Sequence, residues 1–220
     1  VNLHLEESII KLEKGLHKVR ERHFRARTPE TKEKYRLKDK ELREELAEIL
    51  ESAGMFSSKN AKKLAEWNPY DQNKSAEFFD PQWMFEIENG FDLVIGNPPY
   101  LRVQGLEKKD KEYYEKKYIS ATGSYDLYLL FTERGFNLLS KNGILNYIEP
   151  DKWVNGALGK GLRKVTAKNL KRLISFKEHQ VFNASTYSSL LWLSKKRQET
   201  FEYYELDRDL SNNMQLQLWL

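Results

Sequence analysis

The sequence has no cysteine and only four histidines in 220 residues. Disulfides and thiolate metal sites are therefore excluded, and a reducing, cytoplasmic compartment is the natural setting. His17 and His23 stand six positions apart, which is not a same-face ligand spacing on a helix. No acid cluster joins them or His4, so no metal site is expected. No apolar run approaches the ~18 residues of a membrane span, and no signal-peptide pattern opens the sequence, so no membrane partner is expected. No internal repeat is visible. The chain opens on Val1 rather than methionine, and we expect a longer parent polypeptide.

What is present is charge over a sizeable core. Hydrophobic residues make up 40% and charged residues 32%, with a net charge of +4. That balance permits nucleic-acid binding without establishing it. The first 50 residues hold 13 Lys/Arg and 11 Asp/Glu. Beneath them runs an apolar stripe, Leu5, Ile9, Leu12, Leu16 and Val19, whose steps of four and three mark one helical face. Thr28, Pro29 and Glu30 read as an N-cap, a first-turn proline and a first-turn acid. Leu42, Leu46 and Ile49 continue a second stripe. The spacing predicts two antiparallel helices, a hairpin or connector over residues 1–56. It is either purely structural or a direct DNA contact through its basic residues.

Residues 67–90, WNPYDQNKSAEFFDPQWMFEIENG, are aromatic, turn-rich and aperiodic. They read as an irregular segment feeding a strand at 91–95. Further on, SYDLYLLFTERGFNLLSKNG has helical spacing at Leu127, Leu130, Phe131 and Leu138 and closes on a candidate C-cap, KNG. GILNYIEP is a strand, GKGLRKVTAKNL a helix, and LKRLISFKE, SSLLWLSKK and TFEYYEL are three more strands. KKDKEYYEKKY is a polar helix or loop. Strands alternating with helices predict an α/β fold over residues 57–210, with 211–220 the start of a linker.

The chemistry concentrates in FDLVIGNPPYLR, residues 91–102. A buried parallel strand delivers Asn97, Pro98, Pro99 and Tyr100 to its C-terminal end, where open α/β sheets place their ligands. The prolines fix φ and donate no N–H. The Asn97 amide oxygen and the Pro98 carbonyl can then accept both protons of one amino group, and Tyr100 offers a flat face for a planar ring. A conjugated amine is a poor nucleophile. Two fixed acceptors orient its lone pair without any strong base. Asn68-Pro69-Tyr70 repeats part of the pattern, but it has one proline and no preceding strand, and it reads as a turn.

FDLVIGNPPYLR resembles motif IV of the amino-methyltransferases. GSYDLYLLFTERGFNLLSKNGILNYIEPDKWVN, 123–155, and FKEHQVFNASTYSSLLWLSKK, 176–196, resemble the segments that follow it in the γ-class N6-adenine DNA methyltransferases. The upstream stretch is similar to restriction–modification polypeptides of the Eco57I type, which combine nuclease and methyltransferase. The resemblance implies the C-terminal half of a Rossmann-like methyltransferase domain, preceded by the helical hairpin. It implies S-adenosylmethionine as cofactor, double-stranded DNA as partner, and site-specific N6-methylation of a flipped adenine. In those terms Asn97 and Pro98 hold the amine, Tyr100 stacks on the base and Phe182 packs on its other face or edge. Phe131 contacts the cofactor adenine, although spacing alone makes it a core residue. Phe79 and Asp80 are weaker cofactor candidates. Trp153 closes a strand end, and Asp126 is either a helix cap near Ser124, the favoured structural role, or part of the site.

One departure stands out. The acidic, glycine-rich cofactor loop of this family should precede NPPY, and none is found. GALGKG, 156–161, follows it and reads as a loop and helix start. The missing strands and the recognition region are expected in other parts of the same polypeptide, with little activity or cofactor binding from this chain alone. An rRNA or protein substrate, or a non-catalytic DNA- or partner-binding fragment, are the alternatives.

Overall fold

A computed structural model describes residues 3–71, 73–85, 87–177, 179, 181–182 and 187–206. The chain divides into two compact units, Val1–Glu88 and Asn89–Leu220.

The first unit is helical. Helix α1 spans Leu3–Arg25, α2 Pro29–Ser52, α3 Ser58–Glu66 and the short α4 Pro81–Phe85. The turn between α1 and α2 is set locally. The Thr28 hydroxyl accepts the Thr31 N–H, and Pro29 opens α2. Leu12 and Leu16 of the first stripe pack with Leu46, Ala47, Ala61 and Leu64. A buried ion network sits beside this core. Asp39, fully buried, receives Arg20 at 2.9 Å and Arg43 at 2.7 Å. The Arg20 guanidinium lies 5.0 Å from the Trp67 ring and 5.1 Å from the Trp83 ring, and it donates to the Trp83 carbonyl oxygen at 3.2 Å. Arg43 donates to the Ala65 carbonyl. The compact unit therefore extends to Glu88, past the boundary near residue 56 that composition suggested. The aromatic segment is irregular in backbone but tied to the hairpin by Arg20. His23 lies against Tyr70, ring centroids 4.2 Å apart, and accepts from Arg36 at 3.2 Å. The Tyr70 N–H is held by the Asn68 side chain at 3.0 Å, so Asn68-Pro69-Tyr70 is a turn in this unit.

The second unit is a sheet with helices. Its elements are β1 Phe91–Gly96, α5 Lys108–Lys117, α6 Leu127–Asn137, β2 Leu139–Pro150, α7 Lys160–Thr166, β3 Leu170–Ser175, β4 Ser188–Ser194 and β5 Glu202–Glu205. The strand order is β1-β2-β4-β3-β5. β1 runs parallel to β2, β4 is antiparallel to both β2 and β3, and β3 is parallel to β5. Tyr128, Leu129, Leu145, Trp153, Leu162, Leu173, Leu191 and Leu193 form its core. β1 is an edge strand among the described residues, with Leu93 60% and Ile95 69% exposed. It is thus parallel, as its sequence implies, but not buried.

KNG does not cap α6. The helix ends at Asn137, and Lys141, Asn142 and Gly143 lie inside β2. The β1–β2 register shifts between Phe91 and Leu93, and a side chain at Gly143 would meet the Phe91 carbonyl oxygen at 2.6 Å. Glycine serves this irregular pairing rather than a helix end.

Gly161 marks the tightest packing between helical elements. A Cβ there would lie 2.2 Å from the Ile119 carbonyl oxygen and 2.8 Å from Ser120 Cα, both in the 3-10 turn Ile119–Ala121. We expect Gly161→Ala to cost about 2–3 kcal/mol, because only backbone can yield. Urea unfolding of the two proteins measures it. A loss under about 0.5 kcal/mol, the range of a neutral surface change, would mean that the turn and α7 are not held together.

Candidate active site

Asn97, Pro98, Pro99 and Tyr100 follow directly on Gly96, the last residue of β1. They therefore stand at the C-terminal end of a parallel strand pair. Asn97 and Pro99 are exposed, Pro98 is buried and Tyr100 half-buried. What fixes the segment is the tyrosine. Its hydroxyl donates to the Ile148 carbonyl oxygen of β2 at 2.9 Å. Its ring packs edge-on against Tyr128, centroids 6.3 Å apart, and against Phe182, 6.4 Å apart at 69°. Burial pushes the Tyr100 hydroxyl pKa up, so it stays protonated as a donor. The structure places Tyr100 and Phe182 edge to face against each other, whereas the resemblance put a base between them, and it adds a tether that sequence did not reveal. Phe182 is 37% exposed.

Phe131 is not a core residue. It is 47% exposed on α6, whose residues Tyr128, Leu129, Leu130, Thr132, Glu133, Gly135 and Phe136 are buried. Apolar spacing placed it inward, and the helix instead presents its ring to solvent. Phe79 and Asp80 belong to the helical unit. Phe79 is 47% exposed and packs against Phe85, centroids 6.4 Å apart. Asp80 accepts the Trp83 N–H at 3.0 Å at the start of α4, an ordinary capping role.

GALGKG is occupied by its own chain. Arg163 of α7 donates to the carbonyl oxygens of Leu158 at 2.9 Å and Gly156 at 2.6 Å, and to that of Trp153. It is a clasped loop leading into α7, as read from sequence. Trp153 is 2% exposed. Asp126 stands at the N-cap position of α6, without a side-chain cap bond, and bridges Arg102 through the backbone. Burial raises its pKa. Asp151 is taken by Ser175, whose hydroxyl donates to it at 2.6 Å.

Behind the tyrosine tether lies a polar group that sequence reasoning missed. Glu149 is fully buried in β2, next to Ile148. Burial pushes its pKa up to about 8. The Thr132 hydroxyl lies 2.5 Å from Glu149 Oε2 and 2.8 Å from the Tyr128 carbonyl oxygen. One hydroxyl hydrogen cannot serve both acceptors. A protonated Glu149 resolves the conflict by donating to Thr132, which donates onward to Tyr128. The Trp153 indole nitrogen comes close enough to favour the charged form without completing a hydrogen bond. Alternation was the available signal: Leu145, Tyr147 and Glu149 share the buried face of β2.

The family model for the Eco57I restriction-modification methylase matches residues 5–182. The chain belongs to that family. Among curated relatives of this Eco57I-family chain, the type II restriction enzyme and methyltransferase RM.Eco57I of Escherichia coli is 40% identical over 129 residues, 56% of this chain and 13% of that protein. The type II methyltransferase M.BstVI of Geobacillus stearothermophilus is 37% identical over 81 residues, 37% of this chain and 14% of that one. The chain therefore spans about an eighth to a seventh of these relatives. A solved class I S-adenosylmethionine-dependent methyltransferase from Listeria monocytogenes, described as putative, aligns over 60% of this chain and 42% of its own, at 18% identity and a TM-score of 0.46. The mixed α/β sheet agrees with the α/β fold expected from sequence, and S-adenosylmethionine is the cofactor that the methylase family indicates. No helix among the described residues is long and apolar enough to cross a membrane.

Proposed function

We propose that this chain carries the target-base side of an N6-adenine DNA methyltransferase within a restriction–modification protein. The observation that carries the reading is the exposed Asn97 on a segment pinned by the Tyr100 hydroxyl, with Tyr100 and Phe182 edge to face beside it. Asn97 Oδ1 and the Pro98 carbonyl are the acceptors for the two N6 hydrogens. They orient the amine and stabilise positive charge as it develops there. The ring of Tyr100 stacks on the extruded adenine and Phe182 bounds it. Stacking is worth roughly 1–3 kcal/mol per base, comparable with the few kcal/mol needed to extrude one.

S-adenosylmethionine, when bound, supplies an electrophilic methyl group. The residues fit such a cofactor in one respect: Phe131 offers an aromatic face to solvent. We assign it to the cofactor adenine. Phe79 and Asp80, the weaker cofactor candidates, belong to the helical unit.

The test is transfer of labelled methyl groups from S-adenosylmethionine by the gene product that contains this chain. Unmethylated duplex DNA, rRNA and release factor are offered side by side, and modified nucleosides are identified by mass. Label in N6-methyladenine of DNA is expected. Label in rRNA or protein would keep the amine chemistry and overturn the substrate. No transfer to any of them would sink the enzymatic reading.

A further inference from the structure

The positive charge of this protein is local. Residues 18–38 contain nine Lys/Arg and three Asp/Glu. That excess of six exceeds the net +4 of the whole chain, so the remainder is slightly acidic. The fold collects these residues at one place, the end of α1, the turn over residues 26–28 and the first turns of α2. There Arg22 from α1, Arg27 from the turn and Lys32 and Lys34 from α2 line an open groove of about 1180 Å³, which Glu30, Glu33 and Glu41 also line.

Their partners separate structural from available cations. Arg20 is committed to Asp39, Arg25 to Glu21, Arg36 to Glu33 and Lys38 to Glu41. Arg22, Arg27, Lys32 and Lys34 make no side-chain hydrogen bond or ion pair with any described residue. Arg22, Arg27 and Lys34 are exposed, and Lys32 is half-buried. Phe24, in the last turn of α1, stands 88% exposed. A purely structural hairpin gains nothing from four unpaired cations side by side, since like charges repel. A polyanion neutralises all of them at once and releases its own counterions.

We propose that the tip of the α1–α2 hairpin binds the phosphate backbone of double-stranded DNA, through Arg22, Arg27, Lys32 and Lys34, without reading sequence. The choice of DNA over another polyanion rests on the function proposed above. Phosphate contacts of this kind set position and affinity and leave specificity to other elements.

The gene product is titrated with two unrelated duplexes by fluorescence anisotropy across a salt series. It is compared with the variant Arg22→Gln, Arg27→Gln, Lys32→Gln, Lys34→Gln. Each neutralised phosphate contributes about 0.9 to the slope of log affinity against log salt. The expected result is a slope shallower by about 3–4 and an affinity at least about tenfold weaker near 0.1 M salt, equal for both duplexes. The pair Arg27→Gln, Lys34→Gln alters exposed side chains only, and should lose about half of that slope. An unchanged slope in either variant, with the wild-type fold by circular dichroism, overturns the proposal. So does competition by polyglutamate at DNA-like concentrations, which would point to an acidic protein instead. Wild type that binds DNA through the tip but methylates no DNA keeps this inference and removes the proposed function. Methylation of DNA with tip variants unaffected in binding does the reverse.

Discussion

Asn97→Ala is expected to lower methyl transfer to DNA by about 10²-fold or more while leaving the thermal midpoint unchanged. The two halves of this prediction have separate causes. Asn97 is exposed, so its removal opens no cavity and strands no buried partner. Its amide oxygen is, in the proposed reading, one of two acceptors for the reacting amine. The other is a backbone carbonyl that no substitution removes. Losing one fixed acceptor leaves the lone pair undirected, and preorganised groups of this kind commonly contribute about 3–4 kcal/mol. The loss should appear in kcat more than in KM, since the interaction strengthens as charge develops. Asn97→Asp keeps an acceptor and adds a charge, so it should retain part of the activity. Transfer by Asn97→Ala within threefold of wild type would remove this residue from the chemistry.

The second large effect is a loss of stability with rising pH. Glu149 has a folded pKa of about 8 against an ordinary 4.5. An acid shifted upward on folding contributes fully below its unfolded pKa and loses that contribution as pH rises through the folded value. The window therefore runs from about pH 4.5 to just above 8, and most of it is sampled between pH 6 and 9. A shift of this size corresponds to a few kcal/mol, on the order of 3–5. Glu149→Gln replaces the neutral acid by a neutral amide whose N–H can donate to Thr132 in the same place. The variant should match wild type near pH 4, already exceed it at pH 6 and exceed it most at pH 9, with a nearly flat thermal midpoint from pH 6 to 9. The same slope in both proteins would assign the pH dependence to other groups. Because Glu149 adjoins Ile148, whose carbonyl holds Tyr100, methyl transfer by the wild type should fall over the same range.

The helical stripes were legible because burial leaves a period. Leu12, Leu16 and Leu46 are buried despite a surface dense in charge, and Thr28-Pro29 marks its turn by purely local chemistry. The strands were legible for the same reason, as short apolar runs between turn residues. The NPPY segment announced itself because two prolines after an apolar strand have few other uses. Four features stayed hidden. The attachment of residues 57–88 to the hairpin depends on Asp39 binding Arg20 and Arg43, and such pairing leaves no local periodicity. The bulged β1–β2 pairing made Lys141, Asn142 and Gly143 look like a helix end. Phe131 fits the apolar count of its helix yet faces outward, since a count of apolar residues does not fix rotation about the axis. Glu149 hides among hydrophobic neighbours, visible only to someone who asks why an acid occupies an inward position.

The position of β4 between β2 and β3 sets an order of events during synthesis. β2 ends at Pro150 and β3 at Ser175, yet both take their antiparallel partner from Ser188–Ser194. β3 has no neighbour in the sheet until that strand has emerged. At roughly 5–20 residues per second, the ribosome leaves β3 unpaired for about a second or more. During that time Leu170 and Leu173 have only the core residues made before them, such as Leu129, Leu145 and Leu162, for cover. Folding of the sheet unit is therefore expected to arrive late and in one step, with the last inserted strand closing both halves together.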